Sequence, residues 1–257
     1  MKQKRLEYIS EKVREEGSVN VIDLSQDLAV SPKTIRLDLD VLQRANVLQR
    51  VHGGAVPVEY SLNSSGNSSY RDRFNPAKIE IAKEAFKMIQ ENDVILLDDG
   101  SSTYELAKLL GGFRVTVLTN DMLIVQHLLH KPLITLFVIG GFLRRDGDAF
   151  IVSGEDTIQF VRRYQVNKLF LGTSTIDSEK GLMIFYYGDR ATKRAFISTA
   201  EQVVCLADSS KFGKAAFSKF ADIHEIDTVI TDSKVNKELL ETYRRAGVNV
   251  RIAERIL

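Results

Sequence analysis

The chain has 257 residues, 44% apolar and 27% charged, an ordinary globular make-up with room for a small module and a medium-sized α/β domain. Its net charge is +1, and residues 1–60 carry nine Lys/Arg against nine Asp/Glu, so bulk charge gives a nucleic-acid partner no support and only the arrangement of charges can. One cysteine, Cys205, excludes an intrachain disulfide; no apolar stretch approaches a membrane span, and Met1-Lys2-Gln3-Lys4-Arg5 is no apolar leader, which together predict a cytoplasmic protein with no membrane partner.

In chain order, Leu6, Ile9 and Val13 lie at helical spacing, with Gly17 as the stop. Ser18–Val21 predicts a short strand. Asp23 is the expected cap of a helix carrying Leu24, Leu28 and Ala29. Ser31-Pro32 opens the next helix, with Ser as N-cap and Pro at the first helical position, where a missing N–H costs nothing. Ile35, Leu39 and Leu42 form its buried stripe, and Asn46 falls where a left-handed cap is expected. Val47–Val51, then Gly53-Gly54, then Ala55-Val56-Pro57 reads as a β-hairpin. Helix, helix, tight turn, helix, hairpin is a winged helix-turn-helix plan, in which the third helix enters the major groove of double-stranded DNA by its N-terminal end. The expected DNA-binding residues are Ser31, Lys33, Thr34 and Arg36 on that helix, with Arg50 and His52 on the wing.

Ser61-Leu62-Asn63-Ser64-Ser65-Gly66-Asn67-Ser68-Ser69 is too small and polar to order itself, and divides the chain. The expected domains are a DNA-binding module at 1–57, a linker at 58–75, and an effector-sensing and oligomerising α/β domain at 76–257. In the last, apolar runs at Val94–Asp98, Val115–Thr119, Leu133–Ile139, Lys168–Gly172, Val203–Ala207, Thr228–Thr231 and Val248–Ile252 alternate with helical segments such as Pro76–Gln90, Thr103–Leu110 and Asp121–Leu129. Continuous apolar strands separated by helices predict a mostly parallel sheet flanked by helices.

The best chemical motif is Asp98-Asp99-Gly100-Ser101-Ser102-Thr103, where a strand ends, a Gly-hydroxyl loop follows and a helix begins. Backbone N–H groups at such a helix start favour an anion, and Asp98 can accept hydrogen bonds from sugar hydroxyls. Other strand ends carry Thr119-Asn120, Gly140-Gly141 with Arg144 behind, Gly172, and Asp208-Ser209-Ser210-Lys211. In open α/β sheets these loops meet in one site. His127-x-x-His130 lacks further metal-ligand partners and reads as surface histidines. No Walker loop and no Gly-x-Gly-x-x-Gly appears, so no cofactor is expected.

Two stretches carry a resemblance. Thr34-Ile35-Arg36-Leu37-Asp38-Leu39-x-x-Leu42, followed by Val47-Leu48-x-Arg50-x-His52-Gly53-Gly54-Ala55, resembles the DeoR family of bacterial regulators. Asp98-Asp99-Gly100-Ser101-Ser102, Thr119-Asn120, Gly140-Gly141-Phe142-Leu143-Arg144, Lys193 and Asp208-Ser209-Ser210-Lys211 are similar to that family's C-terminal domain. The resemblance implies a ribose-5-phosphate isomerase/CoA-transferase-like fold and a repressor of sugar catabolism. It also implies release by a phosphorylated sugar bound through Asp98, Gly100, Ser101, Ser102, Thr103, Thr119, Asn120, Gly140, Gly141, Arg144, Gly172, Lys193, Asp208 and Lys211. The chain departs from the family at Leu37, where a second arginine is usual, and at Asn46, Thr175 and Asp189. A homo-oligomer, dimer or tetramer, would set the spacing of two reading heads. The alternative is a sugar-phosphate isomerase with Asp98 as base and Lys193 or Lys211 as polariser; the DNA-reading module argues against it.

Overall fold

A computed structural model describes residues 2–16, 18–44, 47–51, 53–57, 75–146 and 149–255. The expected roles of Gly17, Asn46 and His52, and the linker at 58–75 apart from Asn75, lie outside these residues.

The N-terminal part is a winged helix-turn-helix. Helix α1 (Lys2–Glu16), strand β1 (Val19–Asn20), α2 (Val21–Asp27), α3 (Pro32–Arg44), β2 (Leu48–Val51) and β3 (Gly54–Pro57) follow in order. The three strands form an antiparallel sheet in the order β1-β3-β2. Ile9, Val13, Leu24, Ile35, Leu39, Leu42 and Leu48 build one small core. The cap of α2 is Asn20, not Asp23: its side chain accepts from Ile22 N at 2.7 Å, and the helix therefore starts earlier, directly off β1. That helix also ends before Leu28 and Ala29, because Ala29 turns left-handed (φ 49°) to reverse the chain into α3. Ser31 does cap α3, with Oγ accepting from Thr34 N at 3.2 Å.

The two glycines of the hairpin have separate jobs. Gly53 takes φ +82°, a conformation that favours glycine. Gly54 lies so close to β1 that a Cβ there would sit 1.9 Å from Val19 O.

The α/β part is built on a seven-stranded parallel sheet. Its strands are β4 (Val94–Leu97), β5 (Val115–Thr119), β6 (Ile134–Val138), β9 (Val166–Gly172), β12 (Ala200–Leu206), β14 (Thr228–Thr231) and β15 (Asn249–Ile252), in the spatial order β15-β14-β12-β9-β4-β5-β6. All seven apolar runs are strands of this one sheet. Successive residues point to opposite faces. Leu96, Leu118, Leu171 and Cys205 pack toward α7 (Glu155–Val161), α8 (Arg190–Ser198) and α9 (Lys237–Arg245). Ile95, Leu97, Val117, Phe170 and Leu206 pack toward α4 (Pro76–Phe86), α5 (Ser101–Leu109) and α6 (Met122–Leu128). Cys205 is wholly buried, and that burial pushes its thiol up to about 12, which makes it an inert core residue. Among the described residues no helix is long and apolar enough to cross a membrane.

Two antiparallel pieces stand outside the main sheet: the hairpin β7 (Phe142–Asp146)–β8 (Ala149–Ser153), and the sheet β10 (Thr175–Asp177)–β11 (Gly181–Ile184)–β13 (Ser218–Ala221). The chain runs from β4 outward through β5 to β6, then returns to lay β9 against the other side of β4. Such a reversal is where an open α/β sheet leaves a crevice outside the carboxyl ends of its strands, here β4 and β9.

Candidate functional site

A connected polar cluster lies at the carboxyl ends of β4 and β9. Asp98, directly after β4, is wholly buried. Its Oδ2 accepts from Gly172 N at 2.9 Å and from Lys193 Nζ at 2.5 Å. Lys193, on α8, also lies 3.4 Å from Asp99 Oδ1 and 3.4 Å from Gly172 O. Gly172 is required by closeness, since a Cβ would meet Asp99 O at 2.8 Å. Burial pushes the Asp98 carboxyl up to about 7, against the pull of Lys193. Burial works against the Lys193 ammonium too, but Asp98 and Asp99 outweigh it and hold Lys193 above its ordinary value. Asp98 Oδ1 has no hydrogen-bond partner among the described residues, so one buried acceptor remains to be met.

Beside this pair, Lys211 Nζ donates to Thr173 O at 2.5 Å, next to Gly172 in sequence. Burial alone would raise Asp208, but Lys211 and Ser210 hold it below the usual carboxylate range. Arg144, on β7, pairs with Asp189 at 2.7 Å, and its guanidinium carbon lies 4.1 Å from the Tyr186 ring centroid. Asp189 precedes α8 and contributes to raising Lys193. Thus Asp98, Gly172 and Lys193 touch one another, Lys211 bonds to the residue after Gly172, and Arg144 pairs with Asp189 just before α8.

Ser101, Ser102 and Thr103 form the first turn of α5 and are buried, and Gly100 before them takes φ +151°. Thr119 ends β5, Asn120 follows it, and Gly140 and Gly141 lie between β6 and β7. Thr119 Oγ1 accepts from Asp121 N at 3.2 Å, and Asn120 Nδ2 donates to Val152 O of β8 at 3.0 Å. Thr157 Oγ1 on α7 donates to Gly140 O at 2.9 Å, and a Cβ at Gly141 would meet that hydroxyl at 2.2 Å. Sequence reasoning named Asp99 and Thr173 only as members of strand-end loops and did not point to Tyr186; the fold brings Asp99 to Lys193, Thr173 to Lys211 and Tyr186 to Arg144.

In the reading head, Lys33 and Arg36 stand exposed on α3. Ser31 Oγ and Thr34 Oγ1 lie 2.9 Å apart and share the helix start. The acids of α3 are turned aside: Asp38 is held by Arg5 at 2.5 and 3.2 Å, and Asp40 by Arg50 at 2.5 Å. Arg50 therefore sits on the wing but is aimed at α3. That pair is partly exposed and contributes about 0–1 kcal/mol, so a phosphate can compete for it. Among the described residues no group of three or more His, Cys, Asp or Glu is placed to hold a metal, and His127 is half-buried, edge-on to Tyr104.

Comparison with known proteins gives two family matches: the DeoR-like helix-turn-helix domain over residues 5–60 and the DeoR C-terminal sensor domain over residues 74–233. The chain is 35% identical over 250 residues to a candidate aga operon transcriptional repressor of Escherichia coli O157:H7, covering 96% of this chain and 92% of that protein. It is 34% identical to the glycerol-3-phosphate regulon repressor of Escherichia coli K12, over 88% of each chain. It is 31% identical to a lactose phosphotransferase system repressor of Staphylococcus epidermidis, over 93% of this chain and 96% of that one. Among solved structures, ribose 5-phosphate isomerase A of Methanocaldococcus jannaschii aligns with 53% of this chain and 54% of its own, at 20% identity and a TM-score of 0.39.

Proposed function

The chain belongs to the DeoR family of DNA-binding transcription regulators, not enzymes, and we propose that it represses a sugar-catabolism operon until a phosphorylated sugar binds in the β4–β9 crevice. In this reading residues 1–57 read DNA, 58–75 link, and 76–257 sense the effector and oligomerise in the cytoplasm. The observation that carries the effector half is Asp98. It is buried beside Lys193 at the point where the sheet reverses, with Oδ1 still lacking a donor. A sugar hydroxyl supplies that donor. The phosphate goes to the backbone N–H groups of Ser101, Ser102 and Thr103 at the start of α5, where the helix dipole favours negative charge. Lys211 and Arg144 supply cations. A repressor name among the relatives supports the direction of control.

The test is a thermal-shift screen of the full chain against phosphosugars. A true effector raises stability by about 2.7 kcal/mol at a hundredfold excess over its Kd. Lys211→Ala and Arg144→Ala should reduce that response severalfold while leaving operator affinity intact. If no phosphosugar shifts the transition, or the two variants respond as wild type does, the crevice is not the effector site.

The DNA half has its own test. Arg36→Ala should weaken operator binding by about 1–3 kcal/mol, read by titration of a labelled duplex. Wild-type affinity in that variant would remove α3 from the groove.

A further inference from the structure

The outward face of α3 is not uniformly polar. At about 100° per residue, the buried Ile35, Asp38, Leu39 and Leu42 gather on one side of the helix, and Lys33 and Leu37 fall nearly opposite them. Leu37 is 58% exposed, and Val41, one turn further on, is 38% exposed. A lone exposed apolar residue is common on any surface, so exposure alone decides nothing. Place and neighbours are what set Leu37 apart. It occupies the crown of the helix, one turn from Lys33 and adjacent to Arg36. The acids that would repel a polyanion are paired with cations: Asp38, on the buried side, with Arg5, and Asp40, on the same outward face as Leu37, with Arg50. The result is a cationic surface with an apolar centre. Its complement is a groove walled by phosphates with an apolar group on its floor.

In the major groove that apolar group is the C5 methyl of thymine, which cytosine, guanine and adenine do not present. We propose that Leu37 is a specificity-determining residue that recognises a thymine through its C5 methyl group. The proposal rests on α3 being the helix in the groove. Leucine has no hydrogen bond to offer, so it cannot read guanine as an arginine would; it selects by excluding water from a methyl. Burying one such group is worth about 0.8 kcal/mol, which converts to about a fourfold change in affinity.

The experiment begins by selecting duplexes from a random-sequence library with the full-length protein. Each thymine of the selected site is then replaced singly by deoxyuridine, which keeps every hydrogen-bonding group and removes only the methyl. Affinities are measured for wild type and Leu37→Ala. At one thymine position per half-site, wild type should lose about fourfold, and Leu37→Ala should be indifferent there. Introducing 5-methylcytosine into a variant site with cytosine at that position should restore part of the wild-type affinity and none of the variant's. Leu37 is exposed, so the variant should melt with wild type, which a thermal scan checks.

Wild-type indifference to deoxyuridine at every position overturns the proposal, as does an equal penalty in both proteins. A changed oligomeric state of Leu37→Ala on a sizing column, with no methyl dependence, also overturns it and makes this face a contact between copies. Failure to select any duplex, or an Arg36→Ala variant that binds the selected duplex as wild type does, instead overturns the placement of α3 in the groove.

Discussion

Lys193→Met is expected to cost about 3–5 kcal/mol of unfolding free energy above neutral pH, because it strands the carboxylate of Asp98 in a fully buried site. Asp99 is no substitute, being a second negative charge. The cost should depend on pH, with a sign that follows from Asp98. Burial already raises its folded pKa to about 7, above that of an unfolded aspartate, and removing Lys193 raises it further. The folded variant therefore takes up a proton that the unfolded chain does not. Stability is full below the unfolded value, near 4, and falls as pH rises through the folded one. The wild type shows the same sign over a narrower window, its loss running from the unfolded value near 4 and complete once pH passes about 7. Adding Asp98→Asn to Lys193→Met removes both charges and should recover most of the loss. Urea denaturation of the three proteins between roughly pH 5 and pH 8 reads all of this. A single variant as stable as wild type above neutral pH would mean that the pair is not buried in solution.

Gly54→Ala should dismantle the wing. A methyl at that position would lie 1.9 Å from Val19 O and 3.0 Å from Val19 C, and backbone cannot yield as a side-chain tip can. Gly54 also pairs with Asn20 on β1 and Val51 on β2, so the methyl forces β1 off the sheet. Val19, now 4% exposed, would lose its cover. The cost is about 2–3 kcal/mol, at the upper end of overpacking penalties, with loss of operator binding because β3 can no longer be held against β1 and α1. The effector response of the α/β part should survive. Gly112→Ala, where nothing lies within 4 Å of the new carbon, is the control and should change stability by less than about 0.5 kcal/mol. A Gly54→Ala protein that binds operator normally would show that β1 does not pack against β3 in this way.

These two sites differ in how much of them can be read from the chain alone. The seven apolar runs marked the main sheet because a strand buried on both faces must be apolar throughout. Their ends moved where polar residues also pair: β12 starts at Ala200, since Ala200 and Gln202 match Val166 and Lys168 of β9. The smaller antiparallel pieces escaped notice. β10 has three residues and β13 four, too few for a period to show. The β7–β8 hairpin did leave a trace in the sequence, Asp146-Gly147, a strong turn signal that the arginines and the preceding Gly-Gly obscured. Asp98 and Lys193 are 95 residues apart, so no local pattern joins them; only motif spacing pointed to both. The contributions of Asp99, Thr173 and Tyr186 depend on how β9, α8 and β7 are laid together, which no window of sequence encodes. The twin glycines of the wing were legible as a turn, whereas Gly54's contact with Val19, across 35 positions, was not.

The ion pairs that tether Arg5 to Asp38 and Arg50 to Asp40 bear on how this regulator finds its operator in a chromosome. Random DNA attracts a protein through phosphates alone, and attraction grows with the number of cations not already engaged. Here Arg5 and Arg50 each face a carboxylate of α3, so either must trade that partner for a phosphate before it adds to the attraction, whereas Lys33 and Arg36 stand exposed. A head whose arginines are so engaged is expected to bind arbitrary sequence more weakly, with a gentler salt dependence, than one in which Asp38 and Asp40 are replaced by Asn, and a salt titration on random duplex reads the difference. With about 10⁶–10⁹ competing sites in a genome, less of the protein is stored on irrelevant DNA, and occupancy of the operator tracks base recognition more than charge.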